Sequence, residues 1–314
     1  MNNITKNFVG VDVSKNWLDV YIHPKKQALR VDNTQVGIEQ LLPTFSHNNI
    51  AQIVCESSGG YENLLISICA NAGYKVWRID PKRIKAFIAS EGVKAKTDKI
   101  DAKMIALFAS QKEASYMQNQ RSDTDEKVRA LIRRKADLTE IAATEKRRLK
   151  GPTGQFCKDR IENFISIIDK EIKSLATEIE EMIEQNTELS AKSDILQSIP
   201  GIGKSTAAAL IADMPELGTI DNKKIAALLG VVPYANQSGM HKGCETIYGG
   251  RPAPRKALYM AALCATRFNK PMKIFYDRLR EKGKKPKVAV VAVMNKLIST
   301  MNAMLRKNEK WGHA

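Results

Sequence analysis

The stretch FVGVDVSK, residues 8–15, decides the fold class because it starts an alternation of strand and helix patterns. It is a short apolar run with one acid, Asp12, between two valines. LDVYIHP and QALRVDN follow at hairpin distances and predict two more strands. An acid inside an apolar strand is unfavourable unless it is paired, bound to a metal or facing a cleft. Asp12 is therefore the first candidate site residue.

The chain continues with a helical pattern (VGIEQLLPTF), a strand (AQIVCES), a helix (YENLLISICANAG) and a strand (YKVWRID). Two helical patterns, KRIKAFIAS and TDKIDAKMIALFAS, complete this part of the chain. The order predicts a mixed sheet whose first three strands form an antiparallel meander, with helices packed on its faces.

Three further acids join Asp12 as candidate ligands. Glu56 closes the fourth strand, immediately before Ser-Ser-Gly-Gly, and Asp98 and Asp101 lie one helical turn apart in KTDKIDAK. Taken alone, the aspartate pair is typical of a solvated helix start with Thr97 or Asp98 as N-cap. Ligands gather at strand ends in α/β sheets, however, so the four acids could converge there. Four carboxylates in one cleft require divalent cations, and two Mg²⁺ ions would clamp a phosphoryl transfer.

Charge and composition indicate the class of partner. Lys and Arg number 50 against 34 acids in 314 residues, which gives a formal charge of +16 and a pI near 9.6. Such an excess favours a polyanion, and no apolar run approaches the ~20 residues of a spanning helix. The N-terminal sequence MNNITKNFVG lacks a signal-peptide pattern. We therefore expect nucleic acid as the partner, and no membrane.

The cysteines and histidines do not predict a zinc site. Five cysteines are scattered without a CxxC pair, and the four histidines are not clustered. We expect reduced thiols, several of them buried, and any metal to be a hard cation held by oxygen.

The middle of the chain, from residue 123 to 186, is charged and helical, and only KGPTG at 150–154 interrupts it. This pattern predicts an antiparallel helical hairpin. Its second arm carries a heptad seam, and we expect the seam to meet a partner chain or, alternatively, to pack back on its own domains. The seam consists of Ile161, Ile165, Ile168, Ile172, Leu175, Ile179 and Met182.

The stretch LQSIPGIGKSTAAALIADM, residues 196–214, resembles a helix-hairpin-helix. In that motif glycines, here Gly201 and Gly203, let the backbone approach a phosphate beside a cation such as Lys204. A plain helix–turn–helix corner explains the pattern equally well. A P-loop is excluded because its first glycine is missing at the required spacing.

The last candidate residues lie in NQSG and GGRPAPRK. Ser238 stands in typical turn composition, and no His/Asp partner for a hydrolase triad is evident. Arg251, Arg255 and Lys256 could bind a phosphate, since a guanidinium matches phosphate geometry. The roles of His241 and Lys242 stay open.

Five stretches together resemble a known family. GVDVSK, ESSGGYE, KTDKIDAKMIA, SIPGIGKSTAAALIADM and QSGMHKG…GGRPAPRKAL resemble, in order, the signatures of the DEDD insertion-sequence transposases, the IS-one-ten family. The match runs almost from end to end, and the relatives of the family include the Piv DNA invertase. GGRPAP departs from the family pattern in having two prolines, which leaves the geometry around Arg251 open.

The resemblance implies a fold and a mechanism. It implies an RNase H-like (RuvC-like) α/β domain at 1–118 with Asp12, Glu56, Asp98 and Asp101 as its metal-binding catalytic acids. A coiled-coil hairpin at 119–190 would follow, and then a mainly α-helical transposase domain at 191–314 with Ser238 as nucleophile. The implied partners are donor and target DNA, a guide (bridge) RNA encoded by the element, and further copies of the chain joined through the coiled coil. The implied location is the bacterial cytoplasm, with the nucleoid.

Three other functions are compatible with parts of the sequence. A junction-resolving nuclease would use the four acids alone, and a nucleic-acid-binding scaffold would keep them as structural groups. A sugar-kinase-like ATPase shares an early strand-borne aspartate, but the glycine-rich phosphate loops expected after GVDVSK are missing.

Overall fold

The computed structural model describes two compact units, Met1–Arg121 and Ser122–Ala314. The described residues are 6–93, 97–112, 123–152, 154–234, 237–238, 241–242 and 245–312, without the side chains of 98, 99, 123, 237, 238, 241 and 242.

The first unit is a five-stranded mixed sheet with helices on both faces. Its strand order is β3-β2-β1-β4-β5. The first three strands pair antiparallel, and β4 and β5 continue parallel to β1. The predicted meander and element order are thus confirmed. The elements are β1 (Asn7–Val13), β2 (Trp17–His23), β3 (Gln27–Asp32), α1 (Gln35–Glu39), α2 (Leu41–His47), β4 (Ile50–Glu56), α3 (Asn63–Asn71), β5 (Val76–Ile79), α4 (Pro81–Ser90) and α5 (Asp98–Gln111).

The two faces of the sheet bury different cores. Val9, Val11 and Val13 of β1 pack towards the face that α1, α2 and α3 cover. Phe8 and Val54 belong to the opposite core, which includes Ile105 and Phe108 of α5. This alternation follows from the two-residue period of a strand. It also determines which face each polar strand residue shares.

The second unit begins with two long antiparallel helices, α6 (Asp123–Leu149) and α7 (Gln155–Gln185). Ile168 and Leu175 of the predicted seam pack against Leu138 and Ala142 of α6. These two seam residues are therefore covered by the other arm of the hairpin, because α6 supplies an apolar stripe despite its irregular spacing, whereas Ile161, Ile172 and Met182 stay half-buried.

The rest of the second unit is mainly helical. A buried ion pair, Arg129 Nε to Asp213 Oδ1 at 3.2 Å, joins α6 to α9. The remaining elements are α8 (Thr187–Gln197), α9 (Lys204–Asp213), α10 (Asn222–Leu229), β6 (Pro233–Tyr234), β7 (Gln237–Ser238), β8 (His241–Lys242), β9 (Thr246–Ile247), α11 (Pro252–Phe268), α12 (Lys270–Glu281) and α13 (Pro286–Lys307).

The helix α13 is the centre of this core. Among the described residues it is the one helix long and apolar enough to cross a membrane by length and composition, which corrects the expectation that no apolar run approaches that length. Half of its most apolar window is buried. Val293, Leu297, Ile298 and Met301 are fully enclosed by α8 to α11. Its apolar composition is thus explained by its place in the core.

Candidate functional site

Asp12 and Glu56 are neighbours on the two central strands. Val11 pairs with Cys55 in the parallel ladder, so the next residue of each strand, Asp12 and Glu56, lies at the carboxyl end of β1 and β4. Neighbouring strands are about 4.8 Å apart. By strand alternation both acids face the side of the sheet that α5 covers, and both are half-buried.

The helix α5 runs antiparallel to these strands. Gln52, near the start of β4, donates from Nε2 to the carbonyl oxygens of Ala109 and Lys112 at the end of α5, at 2.5 and 2.7 Å. Midway along, Gly10 meets α5 so closely that an added Cβ would lie 2.2 Å from Ala106 N. The beginning of α5 therefore points to the carboxyl ends of the strands.

The lengths agree with this placement. From Gln52 to Glu56 the strand advances about 13 Å, and from Ala109 back to Asp101 the helix advances about 12 Å. Asp101 thus lies level with Glu56, and the backbone of Asp98 is one turn further out. We call the edge formed by Asp12, Glu56 and the first turn of α5 the acid edge. Thr97 is the N-cap of α5, since its Oγ1 accepts from Ile100 N at 3.3 Å.

The donor set of the acid edge suits a hard cation, because carboxylate oxygens are the ligands that Mg²⁺ prefers. Among the side chains that the structure describes, no three His, Cys, Asp or Glu are arranged to hold a metal ion. The side chain of Asp98, the fourth predicted ligand, lies outside that part. Asp12, Glu56 and Asp101 each have interactions with neighbouring groups.

A fifth carboxylate at this site was not predicted from the sequence. Asp19 of β2 pairs with Asp12, and Arg30 of β3 pairs with Asp19, so Arg30, Asp19, Asp12 and Glu56 form one row across four strands. Asp19 is buried, and its two oxygens accept from Arg30 Nε and Nη2 at 2.9 and 2.7 Å. The alternation in WLDVYIH would have identified Asp19 as facing the same side as Asp12, had the register been known.

Two side chains hold the loops that follow the acid-bearing strands. Asn33 Nδ2 donates to Ser14 O and Tyr61 O, at 2.9 and 3.0 Å, and so ties the turn after β1 to the loop after β4. Its Oδ1 is buried without a partner among the described residues. If the side-chain amide were turned over, Oδ1 instead of Nδ2 would face the two carbonyl oxygens, and three acceptors would meet without a donor. The orientation with Nδ2 towards Ser14 O and Tyr61 O is therefore the favourable one.

Glu62 organises the loop after Glu56 from inside. It is 1% exposed and accepts from Ser58 N and Gly60 N at 3.1 and 2.8 Å and from Arg78 Nη1 at 3.0 Å. Burial alone would raise the pKa of Glu62, but the backbone hydrogen bonds and Arg78 outweigh it and lower the pKa to about 2. Glu62 is therefore an anion at physiological pH.

Two cysteines of this unit are inert thiols. Burial raises the pKa of Cys55 and of Cys69 to about 12, so neither ionises near neutral pH. The expectation of buried, reduced cysteines agrees with these two positions.

Ser238 lies on a short antiparallel ribbon in the second unit. β7 pairs with β8 so that Ser238 stands opposite His241, and this ribbon is nested in sequence between the paired strands β6 and β9. We call residues 233–247 the serine segment. The side chains of Ser238, His241 and Lys242 lie outside the described part.

Comparison with known proteins identifies the family. A family model of the DEDD transposases of IS110, described as "Transposase", matches residues 9–152, which include all four predicted acids. A second model, described as "Transposase IS116/IS110/IS902 family", matches residues 193–277, which include Ser238. The chain belongs to the IS110 transposase family. It is accordingly an enzyme that rearranges DNA, a transposase or recombinase.

Individual relatives agree with this family. The pilin gene-inverting protein of Moraxella lacunata is 28% identical over 97% of both chains. The insertion element IS900 uncharacterized 42 kDa protein of Mycobacterium paratuberculosis is 30% identical over 45% of this chain and 37% of its own. The RuvC protein of T. thermophilus, solved with a Holliday junction substrate, gives a TM-score of 0.27 at 14% identity, over 33% of this chain and 91% of that one. At so low a score the compatibility with an RNase H-like domain rests on the mixed sheet alone.

In this transposase, two of the predicted phosphate-binding residues hold the base of the serine segment. Arg251 donates from Nη1 and Nη2 to the two oxygens of Glu216, at 2.6 and 2.7 Å, and from Nη1 to Asp213 O at 2.6 Å. Arg255 donates to Gly230 O and Gly249 O. Both guanidinium groups therefore have partners within the unit.

Glycines complete this anchor. Gly230 ends α10 in the left-handed region, with φ of 79°, and Gly250 approaches it so closely that a Cβ on Gly250 would lie 2.3 Å from Gly230 N. Arg251 N also donates to Leu228 O at 2.9 Å. The chain that leaves the serine segment is thus fastened to the end of α10.

In the corner before α9, the predicted helix-hairpin-helix, one glycine has a packing role and the other remains available to a phosphate. Gly201, with φ of 100°, packs against Ala265 of α11, where a Cβ would lie 2.9 Å from the backbone, so its lack of a side chain has a packing reason. Gly203 is exposed with open space around it. Lys204 is paired with Glu180 Oε2 at 2.8 Å, and Lys256 is exposed on α11. The first turn of α9 and Lys256 therefore stay candidates for phosphate contact.

Proposed function

We propose that this transposase cuts and rejoins DNA with Ser238 as the nucleophile and with Mg²⁺ held by Asp12, Glu56, Asp98 and Asp101. The observation that supports the proposal is the acid edge, where Asp12 and Glu56 are neighbours on the adjacent strands β1 and β4 and the start of α5 lies at the same end of the sheet. The RNase H-like architecture of residues 1–118 is part of the same proposal. So are the predicted boundaries of the coiled-coil hairpin (119–190) and the C-terminal domain (191–314).

The chemistry of the serine step balances as a transesterification. The Ser238 hydroxyl loses its proton, Oγ bonds to phosphorus, and the ester bond to one deoxyribose oxygen breaks. The freed oxygen takes up a proton, and the strand stays attached as a phosphoserine. Attack by a hydroxyl of another strand then releases the serine and joins the new partner. The metal, when bound, would neutralise the charge that develops on the phosphate.

The sharpest test is a denaturing gel of the protein with DNA from the ends of the element. We expect a covalent protein–DNA adduct that disappears in Ser238→Ala. The junction-resolvase alternative predicts that Ser238→Ala still cuts, since the acids alone would hydrolyse DNA. An adduct that persists in Ser238→Ala would refute the nucleophile.

The acids are tested separately by metal dependence. Asp12→Asn should lower strand exchange at least about 100-fold, because even groups that only support a metal ligand cost 10- to 100-fold. It should leave DNA binding intact. Asp169→Asn is the control, since this acid, whose side chain is 43% exposed, pairs with Lys146 across the hairpin at 3.1 Å and with no other cation in the described part of the chain. Strand exchange that persists in chelator would refute the metal, and DNA binding without any metal-dependent strand exchange would favour the scaffold alternative.

Donor and target DNA are the substrates in this proposal, and a guide RNA from the element would direct them. The formal charge of +16 supports a polyanionic partner but does not discriminate RNA from DNA. RNA that copurifies with the protein and is required for strand exchange would support the guide. Full activity after ribonuclease treatment would exclude it. As a DNA-rearranging enzyme, the protein would act in the bacterial cytoplasm at the nucleoid.

We also propose a homo-oligomer that forms through the hairpin. Part of the seam is covered within the chain, but Phe164 and Ile167 on α7 remain 47% and 57% exposed. Replacing both with Glu should yield a lighter species by light scattering. Mixing Ser238→Ala with Asp12→Asn chains tests whether sites are shared between copies, since sharing would restore some activity.

A further inference from the structure

An exposed aromatic residue, with one cation over its ring and another two residues earlier in the chain, lies beside the acid edge. Lys15 belongs to the turn from β1 to β2, Trp17 begins β2, and Arg30 lies on the neighbouring strand β3. Trp17 is 38% exposed, and the side chain of Arg30 is 51% exposed. Lys15 is exposed and has no ion pair within the part of the chain that the structure describes.

Trp17 shares both the face and the edge of Asp12. Leu18, Val20 and Ile22 point into the opposite core, so Trp17 faces the α5 side of the sheet, as Asp19 does. Ser14 N donates to Trp17 O at 3.0 Å and closes the turn two residues beyond Asp12. Asp12 pairs with Asp19 on the neighbouring strand, and Trp17 lies two residues before Asp19. The Cα atoms of Trp17 and Asp12 are therefore about 8 Å apart.

The group is held in place before any ligand binds. Asp19, which is 4% exposed, accepts two hydrogen bonds from Arg30. The guanidinium carbon of Arg30 lies 5.3 Å from the centre of the Trp17 ring. The cation covers one face of the indole. Both side chains therefore lose little freedom on binding, which favours affinity.

Charge explains why such a group is needed at this place. Carboxylates repel the phosphates of a DNA strand, so a strand that reaches the acid edge needs cations beside it. An exposed aromatic ring among cations is the arrangement that binds single-stranded nucleic acid, because any base can stack on the ring.

We propose that Lys15, Trp17 and Arg30 bind the substrate DNA strand beside the acid edge. Trp17 stacks on an unpaired base, and the two cations contact phosphates on either side of that nucleotide. The choice of DNA as ligand rests on the proposed function. The alternative is that these three residues only stabilise the edge of the sheet, and the test below distinguishes the two roles.

The test measures binding of full-length protein to a fluorescently labelled single-stranded DNA in EDTA, where no cutting occurs. Trp17→Ala should weaken binding about 5- to 150-fold, since stacking is worth about 1–3 kcal/mol per base. Trp17→Phe should retain most of the affinity. The matched duplex should respond less, because its bases are already stacked. Phe156→Ala is the control, since Arg160 lies over that exposed ring at 4.8 Å in the same kind of pair.

Three results would overturn the proposal: unchanged binding in Trp17→Ala, an equal loss in Phe156→Ala, or a loss confined to an RNA of the same sequence. Unchanged binding with a lower melting temperature would assign the pair to the sheet edge. Because the assay needs no metal, it is separate from the catalytic proposal. If Asp12→Asn recombines normally while Trp17→Ala fails to bind, the metal site is wrong and the strand site stands.

Discussion

The acid edge and the serine segment are built in opposite ways. At the acid edge the functional residues stand on central strands and on a long helix, and Asn33 and Glu62 hold the loops beyond them. The described residues of the serine segment include four two-residue strands, and the side chains of Tyr234 and of Tyr248, the residue after the segment, are exposed. The described contacts of the segment gather at its base, around Arg251 and Gly230.

The difference matches the two proposed tasks. A Mg²⁺ site requires ligands in near-ideal geometry, which only residues on rigid elements can keep. A nucleophile that forms and then releases a covalent bond to DNA needs a firm base, but not a buried setting. Four substitutions test this contrast, three at the acid edge and one at the serine segment.

The largest effect is expected at Glu62. Glu62→Gln leaves Arg78, whose side chain is 17% exposed, without its buried anion and should lower the free energy of unfolding by about 3 kcal/mol or more. The pH dependence gives a second readout. The folded pKa of Glu62 is about 2, below its ordinary value of 4.5, so its stabilisation, on the order of 3 kcal/mol, is complete above pH 4.5. It is lost as pH falls towards 2, and Glu62→Gln should remove this loss.

Melting is followed by tryptophan fluorescence in a Trp311→Phe background, so that Trp17 and buried Trp77 report the first unit. Glu39→Gln, at an exposed position on α1, is the control and should change little. Equal pH profiles for the wild type and Glu62→Gln would contradict the assignment.

The next effect is expected at Gly10. The Cβ of Gly10→Ala would meet the backbone of Ala102 and Ala106 at 2.3 and 2.2 Å, so α5 must move away from β1. We expect a loss of about 3 kcal/mol in unfolding free energy and a loss of strand exchange, because α5 carries two of the acids. Gly154→Ala, where a Cβ meets nothing within 4 Å, is the control for thermal melting. Full activity in Gly10→Ala would show that the position of α5 is not critical.

Arg251 discriminates between an anchor and a phosphate contact. Arg251→Lys cannot keep the paired hydrogen bonds to Glu216 and should lower the unfolding free energy by about 2 kcal/mol. Lys256→Ala should keep the stability and weaken DNA binding. Melting and DNA affinity are measured on both variants. If Arg251→Lys is as stable as the wild type but binds DNA more weakly, Arg251 contacts a phosphate, as the sequence predicted.

The smallest effect is expected at Asn33. Asn33→Asp replaces a double donor with an acceptor that faces Ser14 O and Tyr61 O, and should cost about 1–2 kcal/mol. The apparent Mg²⁺ requirement of strand exchange should rise, because both loops border the acids. Asn16→Asp makes the same charge change at an exposed position in the turn after β1, which Asn33 holds. If Asn16→Asp and Asn33→Asp raise the Mg²⁺ requirement equally, the added charge explains the effect, and the hydrogen bonds of Asn33 to the two loops do not.

The sequence by itself determined the order of strands and helices in the first unit, the helical hairpin, the candidate acids and the family. These features depend on local signals: the period of apolar residues, the turn residues, and motifs that stand in a fixed order. An acid such as Asp12 is conspicuous in a strand of valines because burying it is unfavourable.

Only the tertiary structure decided which groups meet. The direction of α5 depends on Gln52, whose partners lie 57 and 60 residues away in the chain. Arg251 looked like a phosphate contact, but Glu216, 35 residues earlier, already binds it. Asp19 entered the row of acids only through strand register. Periodicity tells which face a side chain takes, whereas its partner is chosen by the packing of elements remote in sequence, which no local pattern encodes.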